Sequence, residues 1–269
     1  MFFSADLKMQ FPLLTAIKSI CYHNKNIHFH LLNKEYPEEW FDWLNQKLAL
    51  LGSCIENVKI QGNFAENHHL PHINEATYYR LLIPTSAAEK ALYLDCDLVV
   101  NTDLLPLYQT DLGDNYLAAT VDGVLNYTDH CYYEFPDLKP YFNAGMLLFN
   151  QDKWKREGLV EKALAMAGQY NFYYCDQDLL NALCLKRWLA VDPKWNYQVA
   201  AEWGMPAEGN IDYDGYADYL KTKESVPHII HFTGPHKPWA DNLQQPFREY
   251  YWFYFRLEWQ EIFARHGLE

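Results

Sequence analysis

Residues 91–100 read ALYLDCDLVV, an apolar run with two aspartates set two positions apart. β alternation puts Asp95 and Asp97 on one face and Cys96 on the other, where it packs. An unpaired buried carboxylate costs several kcal/mol even after relaxation, close to the stability margin of a whole domain. Either the pair stands at the exposed carboxyl end of a strand over 91–98, or a positive group meets it.

The segments before this run alternate between strand and helix signals. MFFSA (1–5) suits a strand, residues 11–21 carry Leu13, Ile17 and Ile20 at helical spacing, and IHFHLLN (27–33) is a second strand. PEEWFDWLNQKLALLG has Pro37 at its start, Trp40, Leu44, Leu48 and Leu51 on one stripe, and Gly52 as its stop. Residues 54–60 give a third strand and 75–83 a short helix ended by Pro84, which makes 91–98 the fourth strand. The rhythm predicts an α/β fold, a mostly parallel central sheet with helices on both faces, whose ligands gather at strand carboxyl ends. Asp6 falls at such an end, as do Asp95 and Asp97.

After residue 100 the order loosens. Residues 115–122 and 141–150 read as strands, 153–170 as one helix, 199–225 as a surface excursion without periodicity, and 227–239 as a strand entering a Gly/Pro turn. With no repeat or linker, 1–240 reads as one domain and 241–269 as an aromatic helical extension packed on it. In PFREYYWFYFRLEWQEIF (246–263), Phe247, Tyr251, Phe255, Trp259 and Ile262 share a face. Packing onto the domain, a homodimer or partner contact, and peripheral membrane binding are all open to it, although Arg248, Arg256 and Arg265 form no single basic face.

A hydrophobic content of 49% in 269 residues supplies a full core, and the net charge of −13 argues against nucleic-acid binding. An anionic ligand would need local positive charge, from a cation or a few placed basic side chains. Six cysteines without CxxC spacing read as reduced, mostly packed thiols. Asp6 and Lys8 interrupt the place where a signal's apolar stretch would be, and no run reaches the roughly 20 residues of a spanning helix. A cytosolic protein is expected.

Two carboxylates at one strand end and His231 at the end of another make a candidate divalent-metal site. Oxygen ligands favour Mg²⁺ or Mn²⁺, and an imidazole tilts the choice toward Mn²⁺. The bland alternatives are aspartates that cap a strand end and a satisfied core histidine. Apolar-run-Asp-x-Asp also resembles the first motif of haloacid-dehalogenase-type phosphohydrolases, with Asp95 as nucleophile. That motif normally opens the first core strand, whereas three strand–helix units precede it here.

FFSADLKM, ATYYRLLIP, LYLDCDLVV, ATVDG, YFNAGMLLFN, YYCDQDLLNAL and HFTGPHKPW stand in the order found in family 8 retaining glycosyltransferases. The sequence resembles that family, particularly its bacterial lipopolysaccharide galactosyl- and glucosyltransferases, from residue 1 to about residue 240. The resemblance implies the GT-A nucleotide-sugar-binding fold, a UDP-hexose donor (galactose or glucose), a glycan acceptor of lipopolysaccharide, capsule or glycoprotein type, and Mn²⁺. It implies that Asp6 accepts from the uracil N–H, that Arg80 reaches the donor sugar, and that Asp95, Asp97 and His231 hold the metal. Gly234 and Lys237 would close on the diphosphate, while Asn143, Ala144, Asp176 and Gln177 would hold the transferred sugar. Asp122, with Asp176, falls among the sugar and acceptor contacts; His72 and Tyr174 are further acceptor-side candidates. Asp178 supports the loop.

An amide such as Gln177 is a poor nucleophile compared with a glycosidase carboxylate. Retention through front-face attack is therefore expected, with Gln177 stabilising an oxocarbenium-like state. Lys8 and Met9 stand where the lipopolysaccharide enzymes tend to have Asn and Tyr, and the 123–140 and 199–225 segments differ from the best-known members, so the acceptor does not carry over. A carbohydrate-binding module with aromatic platforms is a third reading.

Overall fold

Strand–helix alternation obliges the chain to cross back over the sheet after each strand, and parallel pairing follows. The computed structural model describes residues 1–61, 75–85, 88–132, 134–203, 209–240 and 244–268, so His72 lies outside the described residues. β1 (Phe2–Ser4), α1 (Gln10–His23), β2 (His28–Asn33), α2 (Glu38–Leu48), β3 (Cys54–Lys59) and β4 (Lys90–Leu94) occur in that order, with 3₁₀ turns over Glu75–Thr85 before β4. These strands lie side by side as β3-β2-β1-β4, all parallel.

The second part contains β5 (Leu98–Val100), α3 (Leu105–Tyr108), β6 (Leu117–Ala119), β7 (Met146–Asn150), α4 (Gln151–Glu157), α5 (Leu159–Gln169) and α6 (Cys175–Leu183). It continues with β8 (Trp188–Ala190), β9 (Tyr197–Gln198), α7 (Tyr213–Leu220), β10 (Ile229–His231), α8 (Arg248–Arg256) and α9 (Trp259–Arg265). β7 inserts antiparallel between β4 and β6, and β8 closes the seven-stranded order β3-β2-β1-β4-β7-β6-β8. A smaller sheet, β5-β10-β9, stands beside it. The sheet is mixed and mostly parallel, in agreement with the expected class.

Alternation along β4 explains why its sequence is apolar without a break. Leu92 and Leu94 enter the core shared with α1, α2, α8 and α9, whereas Ala91 and Tyr93 enter the core on the other face with Leu147, Phe149, Trp154 and Leu179. α2 shows the same logic at helical period, burying Trp40, Phe41, Leu44 and Leu48 and stopping where Gly52 turns left-handed at φ 65°.

Four expectations are corrected. Residues 91–98 are not one strand: β4 ends at Leu94 and β5 begins at Leu98 in the other sheet, so Asp95, Cys96 and Asp97 form the bend between them. The helix expected over 153–170 is two, α4 and α5, because Gly158 adopts φ 62° between them. The 199–225 excursion is not merely superficial, since α7 buries Tyr219, whose hydroxyl oxygen accepts from Gln198 N at 2.9 Å. The aromatic extension is likewise two helices, separated at Leu257–Glu258, with a capping box from Glu258 and Glu261.

Both of those last helices lie against α1, and Tyr251, Tyr254, Leu257, Trp259, Ile262 and Phe263 join the core. Lys18 Nζ donates to Phe255 O at 3.0 Å and Leu257 O at 2.7 Å, satisfying carbonyls where α8 ends. Among the described residues no helix is long and apolar enough to cross a membrane. Ile262, fully buried, should lose about 2–5 kcal/mol of stability on replacement by alanine, whereas Phe253→Ala, 43% exposed, should cost under about 1 kcal/mol. Urea denaturation of both variants checks this; equal losses would show that α9 is not integral to the core.

Candidate active site

The bend after β4 is held by two backbone bonds that hand the chain from one sheet to the other. Asp95 N donates to Gly145 O at 2.9 Å, and Phe232 N donates to Asp97 O at 2.9 Å. Both carboxylates therefore come out at the seam between the sheets, beside the carboxyl ends of β1 and β4. Cys96 between them is buried, its thiol donating to Ser4 O at 3.3 Å. His231 ends β10, whose antiparallel register with β5 pairs it with Leu98. Its Nε2 lies 3.1 Å from Asp97 Oδ1 and 3.7 Å from Asp95 Oδ2. The ring rests on a glycine: a Cβ built at Gly145 would stand 2.1 Å from His231 Cε1.

Each acid is met by a base. Asp95 Oδ1 accepts from Tyr93 Oη at 2.6 Å and faces Arg80 Nη2 at 2.9 Å. Arg80 is buried, not the exposed helix residue that its position alone would suggest; its Nη1 donates to Ala144 O at 2.6 Å and its guanidinium stacks 4.5 Å over the Tyr93 ring. Asp97 Oδ2 takes Lys237 Nζ at 2.5 Å. Burial opposes the charge on Asp97, but Lys237 and His231 outweigh it and hold the carboxyl well below the usual range.

Asp176 is the opposite case. Burial dominates the attraction of Arg80 and the hydrogen bond from Thr77, and pushes its carboxyl up to about 6. Thr77 Oγ1 donates to Asp176 Oδ1 at 2.7 Å. Asp176 Oδ2 lies 2.9 Å from Arg80 Nε, but that N–H is directed to Thr77 O, so this buried oxygen has no hydrogen-bond partner among the described residues. Asp176 lines the cavity, and a buried acceptor without a donor suits a ligand hydroxyl that brings one.

Beyond Arg80 lies a group of amides. Gln177 Oε1 accepts from Ala144 N at 3.0 Å and Asn143 Nδ2 at 3.1 Å, and Gln177 Nε2 donates to Asp122 Oδ2 at 3.2 Å. Asp122 Oδ1 is taken by Val124 N and Leu125 N, at 3.0 and 2.8 Å. Asp176 and Gln177 follow Cys175, the first residue of α6, which adopts φ 49°, a left-handed conformation rare outside glycine. Asp178 faces the loop: it accepts from His130, Tyr132, Tyr141 and the Tyr174 backbone, and ties the 130–141 segment to α6.

Asp6, Arg80, Asp95, Asp97, Asp122, Asn143, Ala144, Tyr174, Asp176, Gln177, His231, Gly234 and Lys237 all line one cavity of about 740 Å³, which Lys8 and Met9 also border. Asp6 additionally caps the turn at 7–9, accepting from Met9 N. Sequence reasoning missed Tyr93, Thr77, Gly145, Asn196 and Gln198. Only Tyr93 left a signal, since alternation puts it on the face of Asp95. Among the described residues a second group of metal-capable side chains, His28, His30 and Glu56, lies at the amino end of the sheet. There each imidazole already bonds one Glu56 oxygen, at 3.1 and 3.0 Å, and the group is satisfied by itself.

A family model described as Glycosyl transferase family 8 matches residues 1–243. Glycosyltransferase GlyB of Streptococcus pneumoniae serotype 4 is 37% identical over 268 residues, covering 98% of this chain and 63% of GlyB. The crystal structure of glycosyltransferase GlyE from S. pneumoniae TIGR4 superposes with a TM-score of 0.78 at 28% identity, over 99% of this chain and 62% of GlyE. This chain thus spans under two thirds of either relative. Galactosyltransferase LgtC, solved with donor and acceptor sugar analogs, gives a TM-score of 0.76 at 27% identity over 98% of this chain and 99% of LgtC.

Two outcomes follow from the geometry. Gly145→Ala should destabilise the chain by about 1–3 kcal/mol through overlap with His231, read by urea denaturation; an unchanged midpoint would refute the packing. For Asp176, raised to about 6 from an ordinary 3.8, the folded protein keeps a proton that the unfolded chain has released. Its contribution to stability is full below about pH 4 and falls as pH rises through about 6. The stability of Asp176→Asn relative to the wild type should therefore rise between pH 4 and 7; a flat difference would contradict the assignment.

Proposed function

Because the chain belongs to glycosyl transferase family 8, we propose that it is an Mn²⁺-dependent retaining enzyme that moves galactose or glucose from UDP to a hydroxyl of a glycan acceptor. The observation that carries this reading is the convergence of Asp95, Asp97 and His231, with ligand atoms all within 4.8 Å of one another, on the cavity that also holds the Asn143–Gln177–Asp122 amides. Two carboxylates and one imidazole are a donor set that fits Mn²⁺, with Mg²⁺ the second choice. Bound there, the ion would supply Lewis-acid stabilisation of the departing diphosphate.

The chain's own groups account for the rest. Asp6 would accept from the uracil N–H beside β1. Lys237, which neutralises Asp97 and also donates to Phe232 O at 2.7 Å, would turn to the diphosphate once Asp97 binds a cation, with Gly234 giving the backbone close approach. Arg80 lies between Asp95 and Asp176, 2.9 Å from an oxygen of each, and Asp176 would receive a sugar hydroxyl. Asp122 and Tyr174 would face the acceptor side. Gln177 Oε1 already accepts two N–H bonds, which lowers its nucleophilicity further and supports front-face transfer, the leaving phosphate oxygen taking the acceptor's proton. The likeness to a galactosyltransferase supports a hexose donor.

Asp95→Asn and Asp97→Asn should each lower UDP-hexose hydrolysis by about a thousandfold, the size of several kcal/mol of lost charge stabilisation, while the circular dichroism stays native. A screen of UDP-sugars with Mn²⁺ present checks both donor and metal. Full turnover in excess EDTA, or in either variant, would sink this reading.

A further inference from the structure

We propose that Asn196 is the positioning residue of the metal site: it fixes which nitrogen His231 presents to Asp95 and Asp97, and ties that ring to the amides of the sugar pocket. The proposal rests on the metal reading above and adds a residue to it.

The direction of each hydrogen bond can be worked out from one backbone amide. Gly145 N–H can only donate, and it lies 3.0 Å from Asn143 Oδ1, so that atom is the oxygen. The other end of Asn143 is then the NH₂ group, as its contacts require, because Asp122 Oδ2 and Gln177 Oε1 at 3.1 Å are both acceptors. Gln177 Oε1 is itself fixed as oxygen by Ala144 N–H. The same Asn143 oxygen lies 2.9 Å from Asn196, which must meet it with its own NH₂. Asn196 therefore turns its oxygen to His231, where Nδ1 stands 2.9 Å away and must carry hydrogen. Nε2, on the side of both aspartates, is then the nitrogen at which proton and cation exchange: carrying hydrogen it meets Asp97 Oδ1 at 3.1 Å, and without it its lone pair can bind a cation.

Nothing in this chain of contacts is loose. Asn143, Asn196 and His231 are all buried, Asn196 completely. Asn196 closes a 3₁₀ turn over Pro193–Asn196 that Asp192 caps through Lys194 N, and its own carbonyl accepts from Gln198 Nε2 at 2.9 Å. β9 follows at once and pairs with β10, Gln198 opposite His231. Gly145 both anchors Asn143 and leaves the room that the His231 ring occupies. One network thus runs from the metal ligand through Asn196 and Asn143 to Gln177 and Asp122.

The test is Mn²⁺ binding to the full chain with UDP present, followed by the electron paramagnetic resonance signal of free Mn²⁺, and not by activity. Loss of an outer hydrogen-bond partner of a ligating histidine typically costs about 10–100-fold in metal affinity, and Asn196→Ala should fall in that range. Asn196→Asp still offers an oxygen to Nδ1–H and should stay within about threefold of wild type, well inside that range. Its second oxygen faces Asn143 Oδ1, so it should weaken UDP-hexose binding more than UDP binding. Should the alanine variant not fold, the aspartate variant decides: Mn²⁺ affinity near wild type supports the role and a tenfold loss overturns it. Wild-type affinity in folded Asn196→Ala also overturns it. Absence of Mn²⁺ binding by the wild type would instead defeat the metal reading itself, and His231→Ala identifies the site.

Discussion

The seam between the two sheets carries two carboxylates that the surrounding core cannot solvate, and the rest of the site is arranged around their charge. Arg80 could not be buried without the carboxylates of Asp95 and Asp176 beside it. Lys237 meets the other acid, Asp97, at 2.5 Å. The protein is strongly acidic as a whole, and its cavity sets Lys8, Arg80 and Lys237 among Asp6, Asp95, Asp97, Asp122 and Asp176 at one end of the sheet. Local charge, not net charge, decides what such a cavity accepts.

The same seam explains why the cavity exists. A chain that left β4 and stayed in the large sheet would bury the acids or expose them at an edge. By crossing into the small sheet it brings the end of β10 against Gly145 and the start of α6 against Arg80, so residues from eight separate segments meet. The phosphohydrolase reading loses its footing here. Asp95 Oδ1 is held between the Tyr93 hydroxyl and Arg80, and the family match covers residues 1–243.

Much of this was legible in the sequence because it depends on local patterns. Period-two and period-3.6 apolar spacing found the first four strands and the helices between them, and seven short motifs in order named the family. The failures have long-range causes. The break inside ALYLDCDLVV is made by bonds to Gly145 and Phe232, which lie 50 and 135 residues away from their partners, so alternation read straight through it. The apolar period continues across Gly158, and the left-handed turn there left no trace in it. Tyr219 looked like part of a polar excursion because its buried partner, Gln198, is 21 residues distant. Asn196 and Gly145 were invisible for the same reason: an asparagine before Tyr197 carries no mark of the histidine 35 residues on that it faces.

The central claim is that Asp95, Asp97 and His231 together hold a divalent cation at the donor diphosphate. Anomalous diffraction at the manganese edge, from crystals grown with Mn²⁺ and UDP, addresses it most directly. A single strong peak within about 2.5 Å of one oxygen from each aspartate and of His231 Nε2, next to the diphosphate, is the predicted result. UDP seated in the cavity with the peak elsewhere, or with no peak, would contradict the account.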